Sequence, residues 1–211
     1  MAKFRRRFSE WTSTAKTWPL SATFMAIIVS LAYLVWDQAF LINWKHALIG
    51  LPLICFAMTG IIYKLLYPTF RRNSVTNLLA HLIWTGIIAV ATSFITTQAI
   101  NWEILLAVLP VGLISSGITH GKNKFAAYSY AVEIMSTYVY VAALTFIGIF
   151  PISTIMIFLT VPIATGCSKT IINSLENAAH LTKDLGARTA NLLHLFSILF
   201  AISLLVSTAI K

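Results

Sequence analysis

Apolar residues run along this chain in long blocks, without the one-face spacing of a helix that borders water. Seven blocks separate: roughly Leu20–Trp36, Ala47–Leu66, Val75–Thr97, Glu103–Thr119, Phe125–Ile149, Ile152–Gly166 and Ala190–Ile210. About 20 apolar residues match the thickness of a bilayer core. Backbone amides in lipid must be satisfied within the segment, so each block predicts a helix. The sixth is the shortest and predicts a tilted or thinned span, or a re-entrant piece. Cys167–Thr189 has a different pattern. Ile171, Leu175, Ala178, Ala179 and Leu185 recur at near-helical spacing, with Lys169, Glu176, Lys183 and Asp184 between them. That spacing predicts an amphipathic helix on the inner membrane surface, ended by Gly186. Residues 1–18 form a basic N-terminal stretch. Residues 19–211, with no repeat and no dividing linker, predict a single membrane domain.

Composition agrees with the blocks. The 211 residues are 58% hydrophobic and 10% charged, with mean hydropathy +0.84. Soluble domains carry about 25% charged residues, so an ordinary soluble protein, a disordered chain and a disulfide scaffold are all excluded. The net charge of +9 would suggest nucleic acid in a soluble protein. Here the basic residues lie between apolar blocks, where they set topology. With the N-terminus inside, Lys3, Arg5, Arg6, Arg7, Lys16, Lys64, Arg71, Arg72, Lys122, Lys124, Lys169, Lys183 and Arg188 are all inside, and only Lys45 and Lys211 are outside. This bias appears only if all seven blocks cross. The expected fold class is an all-α integral membrane protein of about seven transmembrane helices, N-in/C-out. The N-terminal stretch lacks the short apolar core and small-residue cleavage site of a signal peptide.

Ionisable residues within a span are costly and usually face the bundle interior or water. Glu133 lies in the fifth block, roughly 12 Å from its inner end at 1.5 Å per residue. Ser129, Tyr130, Ser136, Thr137 and Tyr140 surround it at helical spacings and make one polar stripe. Two readings stand: a protonated glutamic acid hydrogen-bonded between helices, or a cavity-lining group that touches a polar ligand head. His81, with Asn77 and Thr85 one turn away on either side, reads first as a packing histidine and second as a ligand contact. Pro110 is expected to kink the fourth block and free a carbonyl. Gly112, Ser115, Ser116 and Thr119 give that helix a small-residue face.

Enzyme motifs are sparse. There is no Gly-rich phosphate loop and no His or Cys pair at metal spacing. The acids Glu10, Asp37, Glu103, Glu133, Glu176 and Asp184 stand more than four residues apart, so no helix face offers a carboxylate pair to Mg²⁺. No catalytic or metal-binding residue is assigned.

Four stretches taken in order carry a family resemblance. They are Lys16-Thr-Trp-Pro-Leu-Ser21; Tyr63-Lys-Leu-Leu-Tyr-Pro68 followed by Arg71-Arg72; Asn101-Trp-Glu through Leu109-Pro-Val-Gly-Leu113; and Gly186-Ala-Arg-Thr-Ala190 followed by Leu192–Leu205. Together they resemble the UbiA-type prenyltransferase superfamily, in its menaquinone branch of 1,4-dihydroxy-2-naphthoate polyprenyltransferases. The resemblance implies a reduced UbiA-like bundle in a bacterial cytoplasmic membrane. Members of that family carry two further helices and two Asp-rich motifs that hold Mg²⁺ on a prenyl diphosphate. Here the chain passes from Trp44 straight to a fourth-helix-like segment, and Ile118-Thr-His-Gly-Lys122 leads directly into the next block, so both motifs are missing. Loss of a helix pair preserves the N-in/C-out parity.

A diphosphate leaves poorly unless its charge is neutralised. Mg²⁺ is therefore expected only for an intact family member, and no cofactor is expected here. Arg71, Arg72, Lys122 and Lys124 are candidates for binding an anionic head group or diphosphate, although topology alone also accounts for them. The resemblance implies a shortened, non-catalytic relative that binds a membrane lipid or isoprenoid, or partners a homologous full-length prenyltransferase. The alternatives are an active prenyltransferase with a partner-supplied metal site, and a small transporter that uses Glu133. We predict that reporter fusions after Gly121 and Lys183 score as cytoplasmic, and those after Asn101 and Pro151 as external. A cytoplasmic signal at Asn101 would break the seven-span topology.

Overall fold

A computed structural model of the chain describes residues 18–37, 49–57, 74–97, 99, 101–118, 124–173 and 182–210. Among these residues there are helices and no strand. In chain order they are α1 (Trp18–Trp36), a helical segment 49–57, α2 (Ser74–Thr97), α3 (Ile104–Gly117), α4 (Lys124–Phe146), a 3-10 helix (Ile152–Thr160), α5 (Val161–Asn173) and α6 (Thr182–Ile210). Three stretches are long and apolar enough to cross a membrane: Val75–Thr97, Ile152–Asn173 and Leu185–Ile210. Ser21–Trp36 and Ile104–Gly117 are shorter apolar helices. The basic N-terminal residues 1–17 lie outside the described residues, as does most of the second apolar block.

The sixth block and the surface helix expected after it divide differently from the sequence reading. Helix runs without a break from Ile152 to Asn173, a stretch long and apolar enough to cross a membrane that takes in residues 167–173, while residues 174–181 of the expected surface helix lie outside the described residues. Residues 182–189 belong to α6, and Gly186 lies inside that helix and does not end it. Among the described residues Gly148 is the glycine with positive φ, whereas Gly186 keeps a helical backbone and is buried. A glycine inside a helix costs only about 1 kcal/mol relative to alanine, an amount that burial in a packed interface offsets.

The fifth block ends earlier than its apolar run. Beyond Phe146 the backbone turns at Gly148, whose φ is 86°. The Ile149 amide donates to Leu144 (2.9 Å) and the Gly148 amide to Thr145 (3.1 Å). This pair of hydrogen bonds around a left-handed glycine satisfies the last helical carbonyls. Pro151 follows and opens the 3-10 helix as its N-cap.

Contacts at the two ends of the helices set their order. At one end Ser21 of α1 meets His194 of α6 (2.6 Å) and Tyr130 of α4 meets Thr189 of α6 (2.7 Å). At the other end the Tyr33 hydroxyl of α1 donates to Glu103, just before α3 (3.2 Å), and Asn101 donates to Asp37 (3.3 Å). Thus α1 and α6 run in the same direction and α3 runs against them. Between these levels the packing is apolar and aromatic. Phe150 stacks edge-on against Phe200 at 5.3 Å, and Tyr138 against Phe196 at 5.7 Å.

Pro110 lies inside α3 without ending it. A proline has no N–H, so the carbonyl of Leu106, four residues earlier, loses its helical donor. The hydroxyl of Tyr140 on α4 donates to that carbonyl at 3.1 Å. The freed acceptor expected from the sequence is thereby converted into an interhelical bond. Tyr140→Phe should lower stability in detergent by about 1 kcal/mol, because a half-buried carbonyl loses its interhelical donor. In a Pro110→Ala background the backbone amide restored at that position supplies the donor, and the same change should be near neutral. A thermal-unfolding double-mutant cycle checks this, and equal effects in both backgrounds would contradict it.

Candidate functional site

The polar residues of the fifth block share a helix but point to different neighbours. Glu133 on α4 is buried, with 6% of its surface exposed. The hydroxyl of Ser116, in the last turn of α3, lies 2.6 Å from its Oε2 and donates to it. Tyr130 turns to Thr189 on α6 at 2.7 Å. Thr137 donates back to the Glu133 carbonyl of its own helix at 3.0 Å, as does Ser136 at 2.9 Å. Tyr140 goes to Leu106 of α3. A stripe that looks uniform in sequence is therefore shared between α3 and α6.

α2 reaches the same turn of α3 from the other side. His81 Nδ1 lies 3.0 Å from Ser115 Oγ, and both residues are buried. The Ser115 hydroxyl lies 3.0 Å from the Gly112 carbonyl and can direct its hydrogen there, which leaves its oxygen to accept from an Nδ1–H. Asn77, one turn before His81, donates its amide to the Ser116 carbonyl at 2.9 Å. That carbonyl lies in the last turn of α3, where it also accepts from a capping backbone N–H. Thr85 donates within its own helix to the His81 carbonyl (2.7 Å). Asn77, His81 and Glu133 thus converge from two helices on Ser115 and Ser116.

The approach of α2 to α3 depends on Gly112. A Cβ there would lie 2.7 Å from Thr85 Oγ1 and 2.9 Å from Leu82 Cδ2. At Gly117 a Cβ would lie 2.8 Å from the Tyr130 ring. Close approach through small residues is the usual means by which membrane helices gain packing contact.

Of the four basic candidates for an anionic head, Arg71, Arg72 and Lys122 lie outside the described residues, and only the backbone of Lys124, at the start of α4, is described. Among the described residues no three of His, Cys, Asp and Glu gather as a metal site would require. Neither Cys55 nor Cys167 forms a disulfide.

A second polar cluster has no counterpart in the sequence reading. Asp37 and Glu103 are brought to one end of the bundle, joined through Asn101, whose side-chain oxygen also accepts from the Glu103 amide (2.9 Å). Tyr33 completes the group by donating to Glu103. A signal was present in the chain: each acid follows a tryptophan, Trp36-Asp37 and Trp102-Glu103, at the border of an apolar block. Tryptophan favours the membrane–water boundary, so both pairs mark one level.

Comparison with protein-family models, with curated proteins and with solved structures finds no match to this chain. Gly112→Ala should destabilise the folded protein by about 1–3 kcal/mol, since Leu82 and Thr85 must move to admit the methyl group. Unfolding in detergent measures this, and an unchanged midpoint would mean that the two helices are not held at the observed spacing.

Proposed function

We propose that this chain is a seven-span, N-in/C-out protein of a bacterial cytoplasmic membrane. In this reading it is a shortened relative of the quinone-pathway 1,4-dihydroxy-2-naphthoate polyprenyltransferases that works without chemistry of its own. Its role is to engage an isoprenoid or other membrane lipid, or to partner a full-length prenyltransferase. The observation that carries the reading is Glu133: this intramembrane carboxyl accepts from Ser116, so its polarity goes into holding α4 against α3. Apolar side chains such as Phe125, Val132 and Val139 of the same helix are exposed, as suits a surface bathed in lipid tails. Arg71, Arg72, Lys122 and Lys124 are the groups proposed to meet an anionic head, by charge attraction alone.

Affinity for a soluble prenyl diphosphate analogue should fall as salt rises, because exposed charges are screened, and should be indifferent to Mg²⁺. Calorimetry with and without the metal tests this. If Mg²⁺ tightens binding by about tenfold or more, and Asp184→Asn abolishes the gain, the chain has a metal site and the non-catalytic reading fails. A transport role predicts that Glu133→Gln abolishes a measurable flux. An unchanged flux in that variant removes Glu133 from any relay.

A further inference from the structure

Two exposed cations stand at one level on neighbouring helices. Cys167 of α5 lies beside the Tyr130 hydroxyl of α4, and Thr189 of α6 meets the same hydroxyl at 2.7 Å. That one side chain marks a common depth. Lys169 lies two residues beyond Cys167 and Arg188 one residue before Thr189, about 3 Å and 1.5 Å further toward the same end. Both are exposed, and Arg188 is near enough for its charge to act on the Cys167 thiol. This is the end of the bundle opposite Asp37 and Glu103.

The pair flanks the seam between these helices. On α6 the direction of Ser203, whose carbonyl takes the Ser153 hydroxyl at 2.6 Å, falls between those of Thr189 and Arg188, about 40° from the first and 60° from the second. Arg188 thus stands on the side of α6 that adjoins the span Ile152–Asn173. On that span Thr154 and Thr160 meet Thr145 and Tyr138 of α4 at 2.6 Å each, and Cys167 continues the line that faces α4. Ser168 is buried on the side left for α6. Lys169 follows about 100° further round, at the lipid edge.

Deeper in the bilayer the seam opens into an apolar trough. A 3-10 helix repeats every three residues, so the face of Ser153, Met156 and Leu159 adjoins α6. The trough along this face has a volume of about 580 Å³. Leu159 lies ten residues from Lys169, about 15 Å at the α-helical rise, which is the depth of one leaflet of a ~30 Å core. Gly166, one turn before Lys169, is exposed and has no atom within 4 Å of where a Cβ would stand. No side chain there blocks the path from the charges to the trough.

We propose that this seam is a site for one anionic phospholipid, with its phosphate between Lys169 and Arg188 and an acyl chain laid along the seam to Leu159 and Met156. Arginine offers a forked pair of donors to phosphate oxygens, and lysine adds a point charge. Basic pockets between spans at a membrane surface select such head groups, whereas a zwitterionic lipid offsets its own phosphate charge. The site uses none of Arg71, Arg72, Lys122 and Lys124, and its failure would leave the role proposed for those groups untouched.

The test places the photoreactive residue p-benzoylphenylalanine in the full chain at Leu159, or at Ile83 of α2 as a second lipid-facing position. The protein is held in vesicles of equal phosphatidylglycerol and phosphatidylcholine, and mass spectrometry identifies the lipid captured on illumination. Each cation near a membrane surface is worth about a fivefold preference for an anionic lipid. Phosphatidylglycerol should therefore exceed phosphatidylcholine by about 25-fold at Leu159, and by far less at Ile83. Lys169→Gln and Arg188→Gln should each lower the Leu159 ratio about fivefold and leave the Ile83 ratio unchanged, while Lys169→Arg should preserve both. A parent ratio at Leu159 no higher than at Ile83 overturns the proposal without any variant. So does a Leu159 ratio that neither neutralisation lowers, or one that falls equally at Ile83, because the charges would then attract lipid generally and not at this seam.

Discussion

Hydrocarbon supplies no hydrogen-bond partner, so a polar group on a helix in lipid must be met by its own backbone or by another helix. The last turn of α3 is where this constraint joins the most elements. Ser115 and Ser116 meet His81 and Asn77 from α2 and Glu133 from α4 through two side-chain oxygens and one carbonyl. If either serine were large and apolar, His81 or Glu133 would lose this hydrogen bond, at a cost of about 0.5–1.5 kcal/mol. The same turn must also be narrow enough for α2 and α4 to reach it. That requirement explains why it follows Gly112 and ends at Gly117.

α3 is an unusual helix to hold such a position. It has fourteen residues, contains a proline, and buries most of its surface. Each irregularity is met from outside the helix. The carbonyl freed by Pro110 is taken by Tyr140, the terminal carbonyl of Ser116 by Asn77, and the close approach at Gly112 by Leu82 and Thr85. The helix is therefore defined by its neighbours more than by its own propensity, as expected where packing and not a hydrophobic driving force holds helices together.

The polar clusters lie toward the two ends of the bundle, with aromatic packing between them. Ser21–His194 and Tyr130–Thr189 tie α6 to α1 and α4 near one end, while Tyr33, Asp37, Asn101 and Glu103 join α1 to the start of α3 at the other. Phe150, Phe196 and Phe200 fill the region between. Of the residues with candidate chemistry, His81 and Glu133 are engaged at the junction and Tyr130 and Thr137 elsewhere. The proposed reading of the protein as a non-catalytic lipid or partner-binding bundle is consistent with polarity spent on assembly.

The amino-acid sequence by itself determined that the chain is helical and apolar enough for a membrane, because block length and composition are local properties that lipid reads directly. It also determined where polarity is concentrated: Glu133 with its stripe, His81 with Asn77 and Thr85, Pro110 with its small-residue face. Tertiary structure alone decided which of these residues meet. Tyr130 and Glu133 lie one turn apart on α4, yet they bond to α6 and α3 respectively, because the azimuth of each neighbouring helix is set by packing and is not written in one helix's spacing. Asp37 and Glu103 lie far apart in the chain and join only because α1 ends where α3 begins. Gly186 is a stop signal in isolation and an interior residue in the fold, since burial of α6 outweighs a local penalty of about 1 kcal/mol. The 3-10 form of Ile152–Thr160 has the same origin: the three-residue repeat of Thr154, Ile157 and Thr160 is visible in the chain, but Thr145 and Tyr138 had to stand opposite before that repeat could prevail over the α-helical one.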